Sequence, residues 1–300
     1  MVLSAIQRKS ARFPITELML LLVAIFWGTS YGLTKEALLF TSIFIFIAIR
    51  FSFTFFLMLP ILIRDFQRGL NKDWSTAVPT GAILSAVFFC EVIGVSKTTA
   101  SNAAFLISLS VILTALAEVI INKRKVTTLL YVLSIASVLG VFMLTGNTKE
   151  QFSLNTGDYF ILTAACLRAI MVTTTKRLVE GKEITTTSLT ALQSLVVAIS
   201  SLAVAGFYLP IKDISIPNQI EFWLIVMYLV IFCTLFAFFV QNHAVRQTSP
   251  TGVSLLMGSE PLFGALFAVI WLQESLSYIQ VLGGLIIVTC VITTSLKVKS

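Results

Sequence analysis

Charged residues are scarce in this chain: Asp, Glu, Lys and Arg make up only 12% of its 300 residues, whereas 57% are hydrophobic. Such a composition leaves too little polar surface to cover a water-soluble domain of this size. Long polar segments are missing as well, since the longest candidate connections are residues 64–74 and 210–221. We therefore expect no separate extramembrane domain, and we predict a protein that works within or across a bilayer.

Several reactive groupings are also missing from the sequence. There is one histidine, His243, and neither a CxxC nor an HExxH pattern, so no metal site, no catalytic centre and no cofactor are predicted. No aspartate falls in the middle of an apolar run, and no GxxxxGK[ST] loop is present, which argues against aspartyl catalysis and against ATP as the energy source. Free cysteines usually pack as apolar residues, which is the interpretation for Cys90, Cys166, Cys233 and Cys290.

Apolar runs of about 20 residues are what the chain has in abundance, and each is long enough to cross a bilayer as a helix. The predicted fold class is an all-α polytopic membrane protein with ten transmembrane helices. The ten predicted spans are residues 15–31, 41–63, 75–95, 101–121, 127–145, 158–175, 186–208, 222–241, 251–272 and 276–296.

Positive charge alternates between the two ends of these spans. Fifteen of the 21 Lys and Arg residues fall at the termini and the even-numbered connections, four fall at the odd-numbered ones, and Arg50 and Arg168 lie inside spans. By the positive-inside bias, both termini are predicted to be cytoplasmic in a multi-pass protein of the cell inner membrane. The net charge of +7 sits in short connections beside anionic lipid, so no nucleic-acid partner is expected.

The two halves of the chain resemble each other at an offset of 150 residues. The segment that begins at Val95 aligns with the one that begins at Val245, and both carry small polar residues before an aliphatic helix. Five spans per unit is an odd number, so residues 1–150 and 151–300 are predicted to be two repeats of inverted topology. Such repeats favour transport at a site near the midplane, although channels and intramembrane enzymes can also arise by duplication.

Four features of the sequence together resemble the EamA branch of the drug/metabolite transporter superfamily. They are FWGTSYGLTKE from Phe26, the arginine in FIAIRFSF, the small polar starts of the fourth and ninth spans, and SEPLFGALFAVIWLQESLS from Ser259. The resemblance covers nearly the whole chain as two tandem units of five helices. One departure is that Asn122-Lys123-Arg124-Lys125 stands where the family usually closes the fourth helix with a glutamate.

Ionisable groups deep inside a span are costly and are functional candidates by default. Arg50, Arg168 and Glu260 lie about nine or ten residues into their spans, and Glu91 lies in the outer half of the third span. The arginines could each bind a substrate carboxylate through a fork of donors, or could instead pair with Glu260 or Glu91 or bond to backbone carbonyls. Glu260 and Glu91 are the candidates for proton coupling.

Aromatic residues of the first span share one face, since Trp27 and Tyr31 are four positions apart. They could line a substrate cavity, although such stripes are more often packing, and Tyr31 approaches the outer interface. Gly28 and Gly32 on the adjacent face permit close approach of another helix. Pro261 predicts a bent ninth span.

Three polar residues complete the set of candidates. Asn102 and Gln193 are polar positions at or within spans that could bind substrate or bond between helices. Glu118 lies within one turn of the cation-rich end and is expected to reach towards Lys123 or Arg124 in a structural role.

The resemblance implies a secondary transporter, not an enzyme, that exports amino acids or related carboxylate-bearing compounds by alternating access. Proton coupling is expected from the buried carboxyl of Glu260. Exporters of cationic drugs or quaternary amines are the alternative, and an intramembrane enzyme, a lipid flippase or a passive channel are remoter ones. The expected partners are a small-molecule substrate and the lipid bilayer, and the chain is expected to be a monomer or a homodimer.

Overall fold

The structure is a computed structural model that describes residues 15–123, 125–145, 154–210, 216–271 and 277–297. Within these ranges the chain is helical, with no strand. The first six helices are α1 (Ile15–Ala37), α2 (Ile43–Gln67), α3 (Ala77–Lys97), α4 (Ala100–Ser108), α5 (Ser110–Ile121) and α6 (Thr128–Thr145). The remaining helices are α7 (Thr156–Val179), α8 (Thr186–Tyr208), α9 (Ile220–Val230), α10 (Ala237–Gln247), α11 (Pro250–Met257), α12 (Glu260–Trp271) and α13 (Tyr278–Lys297).

These helices form ten spans, because three spans are each built from two helices: α4 with α5, α9 with α10, and α11 with α12. Seven of the described spans are long and apolar enough to cross a membrane, and α6 and α13 contain shorter apolar stretches. The prediction of an all-α polytopic membrane fold with ten transmembrane helices is confirmed. The inverted relation between residues 1–150 and 151–300 stays a prediction.

Several spans begin at a residue whose side chain caps the helix. The side-chain oxygens of Thr99, Thr185 and Ser249 each accept a hydrogen bond from a backbone N–H three residues later. Asn155 and Asp158 form a reciprocal capping box at the start of α7. Such caps satisfy backbone donors that have no partner within the helix.

The ninth span is broken beside Glu260, as the neighbouring proline predicts. Helix α11 ends at Met257 and α12 begins at Glu260, with Gly258 and Ser259 between them. A side chain at Gly258 would collide with Val111 of the fourth span, so only glycine fits this crossing. The fourth span is broken too, at Leu109, where the sequence predicts an unbroken helix.

The eighth span contains a π-helix at Ile231–Phe236, between α9 and α10. A π-helical turn holds one more residue than an α-helical turn and is frequent at functional sites. The hydroxyl of Thr234 donates to the carbonyl oxygen of Leu229, five residues earlier, at 2.8 Å. This turn leaves the carbonyl of Cys233 available to other helices.

The spans pack around a shared apolar core that includes Phe46, Phe51 and Phe222, all fully buried. Helix α2 packs on α8, α3 on α7 and α8, α6 on α13, and α1 on α12. The outward faces are apolar, as in the α6 stripe of Val132, Ile135, Leu139 and Phe142. Exposed apolar stripes on every side are what a bilayer requires of a spanning bundle.

Glu118 corrects one expectation. Its side chain is buried, and its Oε2 accepts hydrogen bonds from the backbone N–H and the hydroxyl of Thr251, at 3.0 and 2.6 Å, and none from Lys123. Arg124 lies outside the described residues. A carboxylate at the first turn of a helix accepts hydrogen bonds from free backbone N–H groups, and the helix dipole stabilises its negative charge. Glu118 therefore ties the fourth span to the start of α11.

Candidate functional site

Helix α1 supplies an aromatic wall at the centre of the bundle. Trp27 and Tyr31 are buried, with 7% and 4% of their surfaces exposed, and their spacing of four residues puts them on one face. The hydroxyl of Tyr31 donates to Glu260 Oε2 at 2.8 Å. Tyr31 therefore lies against the central carboxylate, not at the outer interface that the sequence suggested.

Glu260 is the central residue of the site and is 2% exposed. Its Oε1 accepts from Arg168 Nη2 at 2.8 Å, so one carboxylate binds Tyr31 of α1 and Arg168 of α7 at once. Because the span is broken just before it, Glu260 stands in the first turn of α12, where the helix dipole favours negative charge. The break and the ion pair together hold this charge inside the bundle.

The guanidinium of Arg168 lies over the face of Trp27, with Cζ 4.1 Å from the ring centroid. Such a stack is attractive because the ring face carries partial negative charge, and it is stronger when water is excluded. Trp27 is held in turn by its indole N–H, which donates to the carbonyl oxygen of Cys233 at 2.8 Å. Trp27, Tyr31, Arg168 and Glu260 thus form one connected cluster.

Arg50 is bound mainly by the π-helix of the eighth span. Its Nε donates to Thr234 Oγ1 at 2.6 Å and its Nη2 to the carbonyl oxygen of Cys233 at 3.2 Å. The guanidinium also lies over Phe88, 5.2 Å from the ring centroid. Of the three roles open to Arg50 from the sequence, which are substrate binding, pairing with a glutamate and bonding to backbone carbonyls, these contacts favour the last.

A small cavity lies on the α3 side of the ion pair. The space open to the centre of a water molecule is about 20 Å³, enough for about one water. The lining residues are Trp27, Ser30, Tyr31, Arg50, Leu84, Val87, Phe88, Glu91, Arg168, Met171 and Phe238. Among the described residues, the carboxyl of Glu91 has no hydrogen-bond or ion-pair partner, so it is the polar group of the cavity that is open to a ligand.

A second small cavity lies on the other side of the ion pair, and Arg168 borders both. It is lined by Ile107, Ser108, Ser110, Arg168, Val172, Gln241, Ser254, Met257, Gly258, Glu260 and Pro261. The side-chain oxygen of Gln241 is buried there without a hydrogen-bond partner among the described residues. The ion pair therefore separates an aromatic cavity from a hydroxyl-lined one, and neither is large enough for a metabolite.

Two predicted substrate-binding residues lie away from both cavities. Asn102 is exposed in the first turn of α4, where its backbone N–H donates to the Thr99 cap. Gln193 is buried, and its side-chain oxygen accepts from Asn242 at 2.8 Å, which links α8 to α10. The geometry gives Asn102 no place at the cavities and gives Gln193 a role between helices, so it supports neither as a ligand-binding residue.

Sequence reasoning missed the polar groups that the eighth span contributes, namely the Cys233 carbonyl, Thr234 and Gln241. Thr234 and Gln241 are polar residues in an apolar run, which was the available signal. The π-helix that directs them has no comparable signature in the sequence. Trp27, Tyr31, Arg50, Arg168, Glu91 and Glu260, by contrast, all line one or both cavities.

The fold and this buried polar centre define a polytopic membrane protein. The sequence profile of the EamA-like transporter family matches residues 14–146 and again residues 155–296. The chain belongs to the EamA-like transporter family, which makes it a membrane transporter and not an enzyme.

Relatives agree with this assignment, and a solved structure shares the fold. An uncharacterized transporter of Archaeoglobus fulgidus is 28% identical over 297 residues, covering 94% of this chain and 98% of that protein. The uncharacterized transporter YyaM of Bacillus subtilis is 26% identical and covers 93% of this chain and 92% of its own length. A crystal structure with 16% identity superposes with a TM-score of 0.75 over 95% of this chain and 98% of that one, which supports the fold.

Proposed function

We propose that this protein is a secondary active transporter that moves small zwitterionic metabolites, foremost amino acids, by alternating access. The observation that carries the proposal is the Arg168–Glu260 ion pair, which stands between two small cavities at the centre of the bundle. When a substrate with two opposite charges binds, its charges can replace the contact between Arg168 and Glu260. Outward movement is the direction expected from the family resemblance.

Charge balance around the cavities supports a zwitterion. Arg50 and Arg168 contribute two positive charges, and Glu91 and Glu260 contribute two negative ones when both are ionised. An amino acid adds no net charge, so its entry does not leave a buried charge without compensation. Its carboxylate can replace Glu260 at the Arg168 fork, while its ammonium group binds Glu260 or Glu91.

The small size of both cavities supports an alternating-access cycle. Neither central cavity is large enough for a metabolite in the described conformation, so substrate binding there requires the spans to separate on one side. Helix breaks at Leu109 and at Gly258 border the second cavity and give the fourth and ninth spans places to bend. Glu260 can take up a proton when substrate draws Arg168 away, which would couple transport to a proton gradient.

The experiment that tests this proposal is efflux from proteoliposomes loaded with the twenty amino acids, with and without an imposed pH gradient. We expect selective loss of one group of amino acids, faster with the gradient. In Glu260→Gln, the gradient should no longer change the rate. Glu36→Gln is the matched control, because it makes the same change at an exposed carboxyl of α1. No release from folded protein, or an unaltered gradient effect in Glu260→Gln, would contradict the proposal.

A cationic substrate is the second candidate, and one observation favours it. The unpartnered carboxyl of Glu91 faces a cavity walled by Trp27, Tyr31 and Phe88, and aromatic faces with a carboxylate suit a quaternary amine. Tetraphenylphosphonium binding separates the two candidates. Saturable binding that Glu91→Gln abolishes would favour a cation exporter, whereas no binding leaves amino acids as the substrate class.

A further inference from the structure

A groove opens at the end of the bundle where α5 and α7 both finish. It is lined by Ile121, Asn122, Lys123, Arg177 and Glu180 and contains about 220 Å³ of free space, far more than either central cavity. Helix α5 ends at Ile121 and α7 ends at Val179, so the groove lies level with the membrane interface. It is separate from the proposed transport site.

Cationic donors dominate the groove. Lys123 and Arg177 are exposed, and the side chain of Lys123 makes no hydrogen bond or ion pair with the described residues. Arg177 uses Nη1 to donate to the carbonyl oxygen of Ile121 at 3.1 Å, which anchors its guanidinium across the groove. Glu180 reduces the positive charge but leaves two cations to one carboxylate.

The floor of the groove contains an amide without partners. Both the nitrogen and the oxygen of the Asn122 side chain are shielded from solvent, and neither has a hydrogen-bond partner in the part of the chain that the structure describes. A buried polar group in that state is unfavourable until a ligand or water satisfies it. Lys123 follows in the left-handed conformation, at φ 52°.

An apolar surface leads from the bilayer into the groove. Leu116, Val119 and Ile120 share one face of α5, and they are 47%, 40% and 74% exposed. They lie in the last turns before Ile121, where an acyl chain would run along the helix. Because the apolar surface continues into the groove, the geometry favours a lipid over a free phosphate as the ligand.

We propose that this groove binds the phosphate-bearing headgroup of an anionic phospholipid. Lys123 and Arg177 bind the phosphate, the Asn122 amide donates to an oxygen of the headgroup, and the acyl chains lie against the exposed face of α5. Basic pockets between spanning helices at the membrane interface bind anionic headgroups in this way.

Native mass spectrometry of the purified full-length protein with phosphatidylglycerol or phosphatidylcholine tests the site. Lys123→Asn removes the charge and suits the left-handed backbone, and it should weaken phosphatidylglycerol binding about fivefold. Lys125→Asn is the matched control, because Lys125 is exposed two residues away and outside the groove. It should change binding less than about twofold.

A second variant tests the amide without changing any charge. Asn122→Ala should also weaken phosphatidylglycerol binding, with the thermal midpoint of unfolding of the lipid-free protein unchanged or raised. Equal effects of Lys123→Asn and Lys125→Asn would overturn the proposal in favour of general surface charge. Equal binding of phosphatidylcholine, or displacement of the lipid by millimolar inorganic phosphate, would overturn it as well.

Discussion

At the scale of single residues, the transport proposal depends on the Arg168–Glu260 ion pair. Both side chains are buried, with 8% and 2% of their surfaces exposed. Removing one partner of such a pair leaves an uncompensated charge and costs about 3–5 kcal/mol. A substrate that brings its own two charges avoids this cost, so zwitterions should separate the pair more readily than neutral molecules of the same size.

The replacement Arg168→Lys tests whether the guanidinium fork binds substrate. Lysine keeps the charge but loses the second parallel donor, and one charge-assisted hydrogen bond contributes about 1.5–3 kcal/mol. We expect amino-acid affinity, measured by calorimetry with the substrate that the efflux experiment identifies, to fall about ten- to a hundredfold.

Arg68→Lys is the control for this change, because Arg68 is an exposed arginine at the end of α2. The amino-acid affinity of the Arg68→Lys variant should equal that of the wild-type protein. Wild-type affinity in Arg168→Lys would mean that Arg168 only holds Glu260 in place.

The chemistry of the site was predictable from the sequence, but the partners were not. A charge inside an apolar run is conspicuous, and so Arg50, Arg168, Glu91 and Glu260 stand out. Which of the two arginines pairs with Glu260 depends on how helices distant in sequence cross. The π-helix decides this for Arg50, because Thr234 and the Cys233 carbonyl occupy its donors.

At the scale of elements, the contact between α1 and α12 determines the geometry of the cluster. A Cβ atom at Gly28 would lie 2.7 Å from the carbonyl oxygen of Glu260 and 3.0 Å from the backbone nitrogen of Gly264. Backbone atoms cannot move aside as a flexible side chain does, so any larger residue has to separate the helices. The Tyr31–Glu260 hydrogen bond spans the same contact.

Gly28→Ala should therefore lower both stability and transport. We expect a loss of about 1–3 kcal/mol in the free energy of unfolding, as overpacked sites show, measured by thermal unfolding in detergent. The efflux rate should fall with it, because α12 carries Glu260.

Gly32 is the control position for this substitution. It lies one turn further along the same helix, and a Cβ atom there would meet nothing within 4 Å. Gly32→Ala should leave efflux unchanged and should keep or raise the free energy of unfolding, by up to about 1 kcal/mol, because alanine favours the helix more than glycine does. Equal effects at both positions would show that glycine flexibility, not close packing, is what α1 requires.

Hydropathy predicted where the spans lie, but the sequence predicted the breaks within the spans less well. A bend in the ninth span was predicted because Pro261 removes a backbone donor, and the structure has a full break before Glu260. The break at Leu109 has neither proline nor glycine beside it, so it depends on tertiary packing. For this reason, a run of apolar residues predicts the location of a span better than it predicts the shape of the helix.

At the scale of the whole molecule, the distribution of cations predicts the orientation in the membrane. Ten spans put both termini on one side, and the connections on that side contain most of the Lys and Arg residues. A fluorescent protein fused to the C-terminus should therefore fluoresce in a bacterial host, and alkaline phosphatase fused there should be inactive.

A fusion after Pro210, in the seventh connection, is the matched control for orientation. That position lies in a cation-poor connection, and alkaline phosphatase should be active when the chain is truncated and fused there. Active phosphatase at the C-terminus would mean an odd number of spans or the opposite orientation.

The π-helix of the eighth span also sets the phase of everything that follows it. One additional residue in a helical turn rotates all later side chains by about 100° relative to an uninterrupted α-helix. Gln241 and Asn242 owe their inward direction to that offset, since both are buried beyond Ile231–Phe236. We therefore expect a difference in homologues that lack the π turn. Relative to the periodicity of their apolar residues, the polar residues of α10 should be shifted by one position.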